Sequence, residues 1–233
     1  DLAPRKFKIE RVVMPLVLVI TGALDINLLL PLKGPESETL PVSPWKNSIA
    51  VLPFVDMSPQ KDQEWFCDGI TDEIIGQFSN IGGLKVPART SVFFFKGKEQ
   101  DIRDIGKKLG VATVLEGSIQ KVGSRLRARV QLINIADGFH LWSTVFDSDV
   151  KDVFAIQDEI ALAVADKLRI TLLPGEKAKL SKRRTDNIEA YELYLRALQE
   201  GAWINESIEN SIAYLRRSIQ LDPGYAPSHA ALA

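Results

Sequence analysis

Few side chains in this chain are of a type and spacing that could do chemistry. Asp68, Asp72 and Glu73 cluster within six residues and could act as general acids or bases. They lie near the start of a helical pattern, where the helix dipole favours carboxylates without any catalytic role. The adjacent Asp68-Gly69 would equally suit a turn lining a crevice at a sheet edge. There are two histidines, His140 beside Trp142 in an extended run and His229 in a helical one. Neither has a second ligand nearby in sequence, which favours a structural histidine over a metal ligand or proton shuttle. The one cysteine, Cys67, follows Trp65 and Phe66, so a buried inert thiol is expected. A single cysteine also excludes an internal disulfide or a Cys-based zinc site. No phosphate-binding loop, nucleophile elbow, zinc-protease helix or dinucleotide fingerprint is present. No catalytic residue, metal site or cofactor is therefore expected.

Binding chemistry offers more. Arg125, Arg127 and Arg129 alternate with Leu126, Ala128 and Val130. They would form an anion-binding stripe or, more simply, the wet face of an antiparallel strand. Net charge is −1 and no basic run exceeds Lys182-Arg183-Arg184, which argues against nucleic-acid binding by this portion. Asp68, Arg89 and His140 fall near the ends of expected elements and carry charge, which makes them the candidate ligand contacts. Tyr191, Tyr194 and Trp203 are the candidate aromatic anchors for a protein partner, although aromatics at helical spacing usually pack inward.

The elements that must position these residues follow from periodicity. Residues 12–32 (VVMPLVLVITGALDINLLLPL) hold one charge, Asp25, over a length that spans a bilayer core. Arg5, Lys6, Lys8 and Arg11 precede this run, so residues 1–11 are expected to be cytoplasmic and residues 34–233 periplasmic, at a bacterial inner membrane. Residues 33–47 read as a linker. Residues 48–173 read as an α/β domain in the order β-α-β-α-β-β-β-α, a mixed sheet covered by helices on one face. The run Ser48–Val55 is apolar enough for a central strand. Leu84–Ala88 reads as a second strand, and Gly123-Ser124 and Asp137-Gly138 read as hairpin turns. Residues 174–187 form a connector and residues 188–233 a helical region. With 45% apolar and 25% charged residues, the body can bury a core. The opening on Asp1 and the stop inside a helical pattern suggest a piece of something longer.

The segment Ile212–Ile219 followed by Leu221-Asp222-Pro223-Gly224-Tyr225-Ala226 looks like the second helix and exit turn of a tetratricopeptide repeat. Ile188–Trp203 would be its mate, though Tyr191 and His229 stand 38 residues apart where the repeat wants about 34, so the first unit would be degenerate. An unrelated helical hairpin is the alternative. Along the chain, SIAVLPFVDMSP, FCDGITDEII, LKVPARTS, FKGK, IGKKLGVATVLEGSIQK, RVQLINIADGFHLWS and VFAIQDEIA occur in order. They resemble the TolB-N-terminal-like domain found beyond a membrane helix in CadC-type regulators and membrane-anchored class III adenylate cyclases. That resemblance implies a non-catalytic sensor or scaffold portion of a membrane-anchored bacterial signalling protein. An output domain (winged-helix, cyclase or kinase) would precede residue 1. Expected partners are proteins or peptides at the repeats, with a small-molecule ligand and homodimerisation left open. The alternative function is an envelope scaffold that recruits proteins without sensing.

Overall fold

The structure is a computed structural model that describes residues 45–180, 185–200 and 206–233. The stretch 1–11, the apolar run 12–32, most of the linker and Trp203 lie outside the described residues, and so does the topology read from them. Among the described residues no helix is long and apolar enough to cross a membrane.

Strand β1 (Trp45–Val51) is followed by the two-residue β2 (Val55–Asp56), and both pair in parallel with β3 (Val111–Val122). The single strand expected over Ser48–Val55 is thus broken. Pro53 carries no N–H to continue a ladder, and the next N–H, that of Phe54, leaves the sheet to donate to Thr71 Oγ1 at 3.0 Å. Leu52 N–H and Met57 N–H still donate to Leu115 O and Ile119 O on either side of the break.

The crossover from β1 to β3 carries three helices: α1 (Glu64–Ser79), α2 (Arg89–Phe93) and α3 (Ile102–Leu109). Asp101 caps α3 by accepting the Arg103 N–H, and Gly110 closes it with φ +68°. At that angle a Cβ would be strained, so glycine fits the position. The strand expected over Leu84–Ala88 is reduced to a bridge between Ser48 and Lys85, because Pro87 removes a donor and α2 begins at Arg89. Even so, Ile49 N–H donates to Lys85 O and Lys85 N–H to Asn47 O, which covers the outer edge of β1.

Strands β3, β4 (Arg125–Asn134) and β5 (His140–Asp149) form an antiparallel meander, giving the sheet order β1-β3-β4-β5. β1 therefore ends the ladder instead of lying at its centre, yet Ile49, Ala50 and Val51 are fully buried. Along β4 the alternation is as read: Leu126, Ala128 and Val130 are buried while Arg125, Arg127 and Arg129 are exposed. Helix α4 (Val153–Lys167) packs with α1 on the buried face. It ends at Lys167, after which Arg169 turns left-handed (φ +55°) and Ile170 N–H reaches back to Ala165 O.

The second face is not wholly bare. Ile133 and Ile135 are buried at the far end of β4, and a Cβ on Gly106 of α3 would overlap Ile135. Helix α3 thus seals one end of that face, and only the arginine end is wet. Downstream, α5 (Pro174–Leu180) makes part of the connector helical. The Glu176 carboxylate there accepts the N–H groups of Gly82 and Leu173, both at 2.7 Å.

Helices α6 (Ile188–Glu200), α7 (Glu206–Leu221) and α8 (Ala226–Leu232) pack in succession. Residues 43–233 form one compact unit. α6 is seated on α1, where Leu195 lies so close to Gly69 that a Cβ there would stand 2.7 Å from Leu195 Cδ2.

Candidate functional site

Helix α1 presents two adjacent residues to opposite surroundings. Gly69 meets α6, whereas Asp68 lines an open cleft of about 990 Å³ between α1, the β1–β2 break and the segment 89–97. Lys96 crosses the cleft floor. Its ammonium donates to Asp68 Oδ2 at 2.6 Å and lies 2.5 Å from Glu64 Oε1. Arg89, at the start of α2, lies 3.5 Å from Asp72 and stacks on Phe93 at 3.9 Å from the ring centre. Phe94 is 64% exposed at the rim, and Val92 and Phe95 are buried beside it. Phe93 ends α2 and Phe94 and Phe95 follow in the turn after it, so the three rings do not share one side.

The electrostatics of the cleft are set by burial. Burial pushes the Asp68 carboxyl above the usual carboxylate range, and the bond from Lys96 offsets this only in part. Burial also opposes the charge on Lys96, but the hydrogen bonds to Asp68 and Glu64 outweigh it and raise the ammonium. Asp68 Oδ1 is buried and has no hydrogen-bond partner. Asp56 forms the other wall. Its carboxylate accepts Ser58 N–H at 2.7 Å and Gln63 N–H at 2.8 Å, and Lys61 Nζ reaches its carbonyl at 2.7 Å. Burial pushes Asp56 up, yet the bonds from Ser58 and Gln63 leave it below the ordinary carboxylate value. Because α1 begins at Glu64, Asp68 lies in its second turn, neither in a Gly turn nor at the dipole's end.

Of the three candidate ligand contacts, the fold brings Asp68 and Arg89 into this cleft. His140 is elsewhere, exposed at the start of β5 and paired with Ile133. Burial pushes the Glu116 carboxyl up, and the neighbouring His140 draws it back in part. Of the aromatic anchors, Tyr191 is a core residue. It is fully buried, 4.7 Å from the Phe154 ring, and accepts from Gln157 at 3.2 Å. Tyr194 is half-buried, edge-on to Tyr225 at 5.5 Å. Lys96, Glu64 and Phe94 were not anticipated. The triple phenylalanine ahead of Lys96-Gly97-Lys98 was their available signal. Cys67 is buried, and that burial pushes its thiol far up, leaving it unreactive. Among the described residues no cluster of three or more His, Cys, Asp or Glu is placed to hold a metal.

Comparison with known proteins bears on this arrangement. Residues 45–163 match the family described as HilA/YgeH-like transcriptional regulator, second domain. A Rhizobium meliloti (strain 1021) protein named "Putative adenylate cyclase 3" is 41% identical over 197 residues. That covers 84% of this chain and 34% of the relative, so the chain spans about a third of the relative's length. Among solved structures, lipoprotein GNA1162 from Neisseria meningitidis is 18% identical with a TM-score of 0.39, covering 51% of this chain and 98% of that one. TolB from Acinetobacter baumannii is 13% identical with a TM-score of 0.36, covering 52% and 28%. The LpoB C-terminal domain from Escherichia coli is 13% identical with a TM-score of 0.36, covering 45% and 83%. The sequence matches indicate a signalling-related protein whose matched segment is a regulator-type module and not a catalytic domain.

Proposed function

Since this chain belongs to the family of HilA/YgeH-like transcriptional regulator second domains, we propose that it is the input portion of a membrane-anchored bacterial signalling protein. A ligand or partner group enters the cleft at Asp68, and its occupancy is passed to an output domain that precedes the apolar run 12–32. The observation that carries this reading is the cleft itself. It sets Lys96, Glu64 and Arg89 around a buried, unpartnered Asp68 Oδ1, beside an exposed Phe94. The identity of the output is suggested in two ways: a DNA-binding domain by the family's description, and a cyclase by the Rhizobium relative's name.

The membrane span at 12–32 and the periplasmic side for residues 34–233 rest on the apolar run and its basic N-terminal flank. Alkaline phosphatase fused after Lys46 is expected to be active, and an active cytoplasmic reporter there would reverse the topology. Helices α6–α8 are proposed as the start of a tetratricopeptide-like region. In support, Asp222 Oδ1 accepts Gly224 N–H at 3.0 Å, Thr185 donates to Asp222 Oδ2 at 2.6 Å, and Ser218 meets Ser228 at 2.7 Å. These bonds build the exit turn and let α7 and α8 approach closely. An envelope scaffold acting through these helices is the second reading.

The test uses the full-length parent carrying Asp68→Asn or Arg89→Ala. Output and thermal stability are measured together, with cyclic AMP as the readout for a cyclase and reporter transcription for a DNA-binding domain. Output lost at unchanged stability supports the input role. Unchanged output in both variants overturns it and leaves the scaffold.

A further inference from the structure

β5 is the last strand of its sheet, and its outer edge has no strand partner among the described residues. Apart from its ladder to β4, no backbone hydrogen bond reaches residues 140–149 there. Alternate N–H and C=O groups along this ten-residue strand therefore point outward with no backbone partner among the described residues.

Long sheet edges are normally blunted by proline, lysine or brevity. The sequence HLWSTVFDSD contains neither proline nor lysine, its acids Asp147 and Asp149 are confined to the C-terminal end, and ten residues is long for a strand. One bulge, at Leu141, interrupts pairing near its start. The edge is also apolar. Leu141 is 45% exposed and Val145 44%, with Phe139 at 73% just before the strand. Trp142 and Phe146 are only half covered on the helix side. Both faces of the edge thus offer apolar surface beside unpaired backbone.

We propose that this edge is a homotypic interface, at which β5 pairs antiparallel with β5 of a second copy and makes one continuous sheet across a two-fold axis. Charge selects both the copy and the direction. The acids of β5, Asp147 and Asp149, lie at its C-terminal end, and His140 lies at the other. Parallel self-pairing would align acid with acid, which is unfavourable. Antiparallel pairing centred on Val145 sets Val145 opposite Val145, Thr144 opposite Phe146, and Asp147 opposite the neutral Ser143. It also brings Asp149 of one copy to the His140 end of the other. Asp147 keeps its bond to Arg125 and its approach to Arg127 within its own sheet. The same patch serves both copies, so the assembly closes at two.

A cysteine in place of Val145 tests this in the full chain in detergent. Directly opposite residues bring their Cβ atoms within about 5.5 Å, close enough for a disulfide to form with slight adjustment. Cys67 is buried and does not compete. Under mild oxidation Val145→Cys should cross-link at least tenfold faster than Glu99→Cys, an exposed control before α3. Val145→Lys, an exposed change that leaves the core intact, should raise the dimer dissociation constant at least tenfold by sedimentation. Cross-linking no faster than the control would overturn the proposal. So would a monomer at all concentrations, or a dimer that persists unchanged in Val145→Lys, since the contact would then belong to another segment or to no copy at all.

Discussion

The two ends of the sheet solve the same problem differently. At β1 the ladder stops, yet the Lys85 backbone seals the outer edge and Ala50 and Val51 are buried on opposite faces. At β5 the ladder stops in the open, with Val145 and Leu141 exposed and no covering strand among the described residues. Both runs are rich in apolar residues, so hydrophobicity alone does not separate them. The chain on either side does. A crossover rich in helices returns past β1, whereas β5 leads through a short turn at Val150–Asp152 straight into α4 on one face only.

The sharpest break of this contrast is Val51→Asp. An uncompensated charge on a fully buried strand costs roughly 3–5 kcal/mol, enough to unfold a marginal domain. Urea denaturation should show no cooperative transition, and near-native stability would mean that β1 is not sealed. Next is Gly117→Val on β3, where a Cβ would overlap the Arg129 carbonyl and lie 2.8 Å from the Phe54 ring. With backbone on one side, relief requires strand movement, and a loss of about 1–3 kcal/mol is expected by the same measurement.

Asp56→Asn should cost about 1–2 kcal/mol by removing a carboxylate that accepts two backbone N–H groups ahead of α1. Its folded pKa lies below the ordinary 3.8, so this contribution is present above about pH 4 and fades as pH falls through the folded value. The difference between wild type and variant should therefore shrink in acid.

Asp68→Asn sits nearer neutrality. The folded pKa of Asp68 is raised, so the charged form is penalised by burial as pH rises past 3.8. The asparagine removes that penalty along with the bond to Lys96. A net change within about 1 kcal/mol is expected at pH 7, and a large loss would make Asp68 structural. Smallest is Val145→Lys, which sets a second cation opposite Arg129 and is expected to cost less than about 1 kcal/mol in folding. A clear stability loss there would show that the open edge is packed after all.

Much of the fold was legible because it is written in short-range pattern. The alternation from Arg125 to Val130 and the turns at Gly123-Ser124 and Asp137-Gly138 depend on neighbours in sequence, and each appears where it was read. Pro53 and Pro87 stand in the sequence too, but how far each interrupts pairing depends on the neighbouring backbone, and in the fold one strand splits and another shrinks to a bridge. The site was half legible. Asp68 and Arg89 were singled out for charge and position, but nothing local said that Lys96, 28 residues beyond Asp68, would bond to it. Nor did sequence show that His140 would stand apart from them.

Sequence by itself determined the α/β character, the wet arginine row on β4 and the absence of recognisable catalytic motifs, because periodicity and residue chemistry are local properties. Tertiary structure alone decided which edge is sealed and which is open, and that Tyr191 fills the core beneath α6. It also decided that Asp68 faces a cleft while its neighbour Gly69 faces a helix. Those outcomes depend on which distant backbone comes within hydrogen-bonding or van der Waals reach, and a one-dimensional pattern carries no record of that distance.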